Sequence, residues 1–173
     1  NLIDLSKKTK TGCMLAHVRA ATAGNVSYSN SHPFCFQQFS MMHNGTIEGF
    51  LSIKRALREE LSDVAYEWVK GQTDTEHFFG LVIDQWLGLG ESTPTISGVV
   101  ESVTNAIAII LDMLQALGIS SEVTLNTVIT NGEFMVATRY ANKGYKPPSL
   151  YYVTGESYAC IDKVQAVVPH GRV

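Results

Sequence analysis

Residues 73–88 set the terms for the rest of the chain. Thr73-Asp74-Thr75-Glu76 is a capping box, in which a threonine side chain and a glutamate three positions later satisfy free N–H groups at a helix start. The helix it opens carries Phe78, Phe79, Leu81, Val82, Ile83, Trp86 and Leu87, so it is apolar around more than one stripe. A surface helix keeps one face wet, whereas a helix apolar on most sides must be covered on most sides. The fold therefore has to bury this helix between layers.

The neighbouring stretches supply those layers. Residues 47–61 place apolar side chains at 47, 50, 51, 57 and 61, with Lys54, Arg55, Arg58, Glu59 and Glu60 mostly elsewhere, which predicts a helix with one wet face. A third helix is expected over residues 96–117, with Gly118 placed to end it. Residues 13–18 (CMLAHV) read as a short buried strand. Phe34-Cys35-Phe36 and residues 39–42 read as two strands around Gln37-Gln38, and His43-Asn44-Gly45 as a sharp turn. The alternation puts the Cys35 thiol in a buried position. Residues 123–130 and 134–140 flank Asn131-Gly132, a strong hairpin signal. A loop over 143–148, a final strand over 150–154 and an edge strand over 164–168 complete the pattern. Strands, then helices, then strands describe an α+β chain. With 173 residues and no internal repeat, it reads as one domain over 1–173.

Composition excludes several classes of partner. The net charge is −3 and no Lys/Arg run exceeds Lys7-Lys8, so nucleic acid is not expected. The longest apolar run, AIAIILDML from Ala106, is broken by Asp112 and is too short to span a bilayer, so no membrane is expected either. Cys13, Cys35 and Cys160 are odd in number and lack C-x-x-C spacing. They point to a reducing, cytoplasmic setting without a disulfide framework, a zinc site or any other metal or cofactor.

Four short segments carry the chemistry: HVRAATAG at 17–24, NSHPF at 30–34, MHNGTI at 42–47 and GQTDTEH at 71–77. Together they hold a fixed cation, hydroxyls, an Asn-Gly pair and a carboxylate at a helix start. That set suits a small zwitterion carrying an acyl group. Arg19 would pair with its carboxylate, Asp74 with its ammonium, and Asn44-Gly45 with a developing oxyanion.

These segments, in this order and spacing, resemble the glutaminase domain of the class II glutamine amidotransferases, which are N-terminal nucleophile hydrolases. HVRAAT, LNTVITNGEFMVATRY and PPSLYY are similar to the branch of the fungal glutathione-degrading amidotransferase subunit. The resemblance runs from about Leu15 to about Thr154. It implies a four-layer αββα sandwich of two antiparallel sheets flanked by helices. It also implies an N-terminal cysteine that attacks the γ-glutamyl amide of glutamine, glutathione or a related compound, and forms a thioester that water then hydrolyses. Asn44 and Gly45 would form the oxyanion hole, and Arg19, Thr22 and Asp74 would bind the glutamyl head. The base is the nucleophile's own amino group, so His32, His43 and His77 are expected as hydrogen-bonded scaffold. None of the three cysteines stands where the family nucleophile would, so the chain is expected to be N-terminally incomplete and inactive by itself. A metallopeptidase-like subunit is the partner the resemblance implies, and oligomer formation is left open. The rival reading is a non-catalytic subunit that keeps the pocket and binds γ-glutamyl compounds without turnover.

Overall fold

The computed structural model describes residues 4, 7–18, 28–155, 157–161 and 164–168. Four antiparallel strands form the sheet: β1 (Phe34–Phe36), β2 (Phe39–Ile47), β3 (Val123–Thr130) and β4 (Met135–Ala141), paired in the order β1-β2-β3-β4. Four helices follow β2 in sequence: α1 (Phe50–Glu60), α2 (Asp63–Trp68), α3 (Asp74–Gly88) and α4 (Ile96–Ala116). A separate two-stranded pairing joins β5 (Ser157–Ile161) to β6 (Val164–Val168). The architecture is thus α+β, as the pattern predicts.

Helix α3 is the buried layer that its sequence requires. Phe78, Phe79, Leu81, Val82, Ile83 and Trp86 all lie in the core, and even Thr75, Glu76 and His77 are buried. The capping box forms in half its expected way. Thr73 Oγ1 accepts the Glu76 N–H at 3.2 Å. The Glu76 carboxylate reaches further back than usual and accepts from Lys70 N at 2.8 Å and Gly71 N at 2.6 Å. It thereby ties the loop before α3 to the helix. A Cβ on Gly71 would lie 2.5 Å from Glu76 Oε2 and 2.6 Å from Asn30 Oδ1, so glycine is needed for this close approach.

Helix α4 ends as predicted. Gly118, at φ +67°, donates to Gln115 O, and Ile119 N donates to Leu114 O, which is the Schellman pattern. The run from Ala106 proves to be part of a 21-residue helix that is long and apolar enough, by length and composition, to cross a membrane. Here Val99, Val103, Ala106, Ile110 and Leu114 form a buried stripe, and α4 packs on α3.

Three sequence expectations are corrected. The sharp turn at His43-Asn44-Gly45 is strand: His43, Asn44 and Gly45 pair with Thr127, Asn126 and Leu125. The chain turns later, at Glu48-Gly49, where Gly49 takes φ +81°. Residues 13–18 and 150–154 are not strands, because no described strand pairs with either. Val18 and Tyr152 are more than nine-tenths exposed. Cys35 is exposed rather than buried, since Phe34 and Phe36 take the inward positions on either side of it.

Candidate active site

β1 is short, and its pairing with β2 stops at Phe34↔Met41. Beyond that point the outer edge of β2 has no strand beside it among the described residues, and other groups meet its backbone. His17 Nε2–H donates to the His43 carbonyl at 3.1 Å. Four residues on, Ile47 N–H donates to Asp74 Oδ2 at 3.0 Å. Asn44 and Gly45 lie between these two anchors.

Asp74 is the first residue of α3, and its other carboxylate oxygen accepts the Thr75 N–H at 2.8 Å. A carboxylate in the first turn of a helix is favoured by the helix dipole. The bond to Ile47 fixes this carboxylate beside the strand carrying Asn44 and Gly45, which are twenty-nine or more positions away in sequence. The structure therefore brings Asn44, Gly45 and Asp74 together. Arg19 and Thr22 lie outside the described residues. His17, which opens their segment, is docked on the same strand edge.

His43 joins the two halves from beneath. Its ring is buried on the helix side of the sheet. Nε2–H donates to the Thr124 carbonyl at 3.2 Å, and Nδ1, left as an acceptor, takes the Thr75 hydroxyl at 2.8 Å. Burial pushes its pKa below the ordinary histidine value; the Asp74 charge and the Thr124 bond oppose that shift without reversing it. A neutral ring of fixed tautomer is a structural link, as expected for a scaffold histidine. Gly45 is shaped around it. At φ +152°, a Cβ there would collide with the Thr124 carbonyl oxygen and lie 2.7 Å from His43 Nε2. The Asn-Gly pair is thus a strand position that only glycine fits.

His77 is also buried. Its Nδ1–H donates to the Thr73 carbonyl at 2.8 Å, its Nε2 has no partner among the described residues, and burial lowers its pKa to about 4. His32 Nδ1 lies 3.1 Å from His17 Nδ1, so the third histidine braces the first. Sequence reasoning did not single out His17 and Thr75 as anchors. Their signal was present in HVRAAT and TDTE, but an anchoring role depends on which backbone group each meets across the fold. Among the described residues, no group of three or more His, Cys, Asp or Glu side chains could hold a metal ion.

This geometry can be set beside known proteins. The sequence profile of the class II glutamine amidotransferases matches residues 3–157. The chain belongs to that family. It is 32% identical over 169 residues to the probable glutamine amidotransferase DUG3 of Saccharomyces cerevisiae, covering 91% of this chain and 47% of DUG3. It is 39% identical over 72 residues to the isomerizing glutamine–fructose-6-phosphate aminotransferase of Francisella tularensis, covering 42% of this chain and 11% of that one. A solved glutamine aminotransferase class-II domain protein from Silicibacter pomeroyi superposes with a TM-score of 0.57 at 25% identity, over 69% of this chain and 52% of that one. The chain thus spans about half the length of DUG3, and a much smaller share of the aminotransferase.

Proposed function

We propose that this class II amidotransferase chain binds the γ-glutamyl head of glutamine, glutathione or a related amide and supports hydrolysis of its γ-amide bond. The observation that carries the reading is the strand edge between His43 and Ile47. Backbone groups along a strand alternate sides. The same alternation that aims His43 C=O at His17 and Ile47 N–H at Asp74 aims Gly45 N–H at the open edge between them. With the Asn44 side-chain amide beside it, that N–H is a donor for the oxyanion of a tetrahedral intermediate. Loss of one such donor typically costs roughly 10²–10³ in rate.

Asp74 would take the substrate ammonium. Arg19, two residues beyond the docked His17, would take the α-carboxylate through its planar fork, with Thr22 adding a hydroxyl. A nucleophilic thiol would attack the γ-carbonyl carbon, expel the amine and leave a γ-glutamyl thioester for water to cleave. That thiol is a cysteine bearing a free amino group.

The sheet face turned away from the helices carries Met42, Val128, Met135 and Ala137, and Met135 is 54% exposed. A second antiparallel sheet seated there would complete an αββα sandwich. The resemblance of HVRAAT, LNTVITNGEFMVATRY and PPSLYY to the fungal glutathione-degrading branch favours glutathione as substrate, a metallopeptidase-like subunit as partner and the cytosol as location. Exposed, unpaired Cys13 and Cys35 suit a reducing compartment. The test is release of ammonia or amine from L-glutamine, glutathione and other γ-glutamyl amides by protein carrying an N-terminal cysteine. Cleavage that depends on Asn44, Gly45 and Asp74 is expected. Cleavage indifferent to all three would refute the reading.

A further inference from the structure

Asn44 and Asn126 stand directly opposite each other across β2 and β3, on the sheet face turned away from the helices. Asn44 is exposed, whereas Asn126 is buried. The Asn126 amide is fixed end for end. Its Nδ2 donates to the carbonyls of Pro148 and Ser149, both at 3.1 Å. Carbonyls only accept, so the nitrogen must face them and the oxygen must face away. That Oδ1 is buried and has no hydrogen-bond partner among the described residues. A bare buried acceptor is unfavourable and calls for a donor. On the β4 side the opposite residue is Arg139, which gives Nε to Pro148 O and Nη2 to Pro147 O. On the β2 side the opposite residue is Asn44, whose Nδ2 carries two N–H groups.

We infer that Asn126 is a positioning residue for Asn44. Asn44 makes no bond to it in this structure; rotating the exposed Asn44 side chain brings one Nδ2–H onto the bare Oδ1 and leaves the other toward the γ-carbonyl of the substrate. Directly opposed residues in an antiparallel pair have Cβ atoms about 4.5–5.5 Å apart, within reach of two carboxamides. The inference rests on the reading of Asn44 as an oxyanion donor. An asparagine amide is almost symmetric in shape. Turned by half a rotation it presents oxygen to a developing oxyanion, and attraction becomes repulsion. A neutral acceptor that grips only the NH₂ end removes the wrong orientation without adding charge to the site.

Two measurements test this. In the unaltered chain, NMR of the Asn44 side-chain amide should show one proton shifted downfield and protected from exchange, unlike the exposed Asn105. Asn126→Ala should return Asn44 to the behaviour of Asn105. Asn44 exchanging as freely as Asn105 in the unaltered chain overturns the inference, and that result needs no variant to fold. In active protein, Asn126→Ala should lower kcat roughly 5- to 10-fold, the value of one hydrogen bond, with little change in KM. The loss should vanish in an Asn44→Ala background. Equal losses in both backgrounds would make Asn126 only a clamp on Pro148 and Ser149. If Asn44→Ala leaves turnover unchanged, the oxyanion reading falls, and the amide NMR still decides whether Asn126 orients Asn44.

Discussion

Replacing Gly45 by alanine should damage this fold far more than a methyl group would suggest. Two terms add. Gly45 sits at φ +152°, and holding a residue with a Cβ in such a conformation costs about 1–3 kcal/mol. The added Cβ would also collide with the Thr124 carbonyl oxygen and crowd His43 Nε2. The Thr124 carbonyl is part of β3 and already accepts from His43, so it cannot swing aside without opening the β2–β3 pairing. Overpacking of this kind costs a further ~1–3 kcal/mol. The sum is about 2–6 kcal/mol, a large part of a typical domain's stability. Gly132→Ala is the internal control. It has φ +90° but nothing within 4 Å of its Cβ, so it carries the backbone term alone. In urea, with a slope of roughly 2 kcal/mol per molar, Gly45→Ala should lower the midpoint by about 1–3 M, and Gly132→Ala by about 0.5–1.5 M. Equal midpoints for the two variants would refute the packing argument at Gly45.

Other consequences are equally direct. Stability should fall as pH drops from about 6.5 to about 4: the unfolded chain takes up a proton that buried His77, with a folded pKa near 4, refuses, which amounts to about 3 kcal/mol over that window. His77 contributes no slope above 6.5. His77→Asn, which keeps a donor for the Thr73 carbonyl, should flatten most of the slope and leave the share due to His43; denaturant melts across pH check this. Asp74→Asn keeps one oxygen for Ile47 N–H but removes the charge. It should weaken γ-glutamyl binding roughly 10- to 100-fold while costing only about 1 kcal/mol of stability, read by calorimetry beside thermal melts. Trp68→Phe removes the indole N–H bond to the Cys35 carbonyl, 2.9 Å long, and should cost about 1 kcal/mol in the same melts.

Much of this arrangement was legible in the sequence. The capping box marked the start of α3 to the residue, because a threonine followed by glutamate three positions on has a local cause and a local effect. Gly118 and the Asn131-Gly132 hairpin were readable for the same reason. His43-Asn44-Gly45 was not. Asn-Gly usually means a turn, and here the glycine serves a strand that must let a neighbouring carbonyl approach. That requirement comes from Thr124, far along the chain. Residues 13–18 and 150–154 have strand composition, yet a strand exists only beside a partner, and no described strand lies next to either. Asp74 was singled out as a substrate ligand, but its grip on Ile47 N–H, which sets the site's geometry, depends on tertiary contact alone.

In the proposed function Asp74 holds the α-ammonium of the γ-glutamyl head while the Asn44–Gly45 strand edge meets its γ-carbonyl. The most direct test is calorimetric titration of the protein with L-glutamine, glutathione and N-acetyl-L-glutamine. The first two should bind, N-acetylation of the α-amino group should abolish binding because Asp74 then has no ammonium to hold, and Asp74→Asn should erase the difference. Equal binding of the acetylated and free amino acids by the unaltered protein would contradict that role for Asp74.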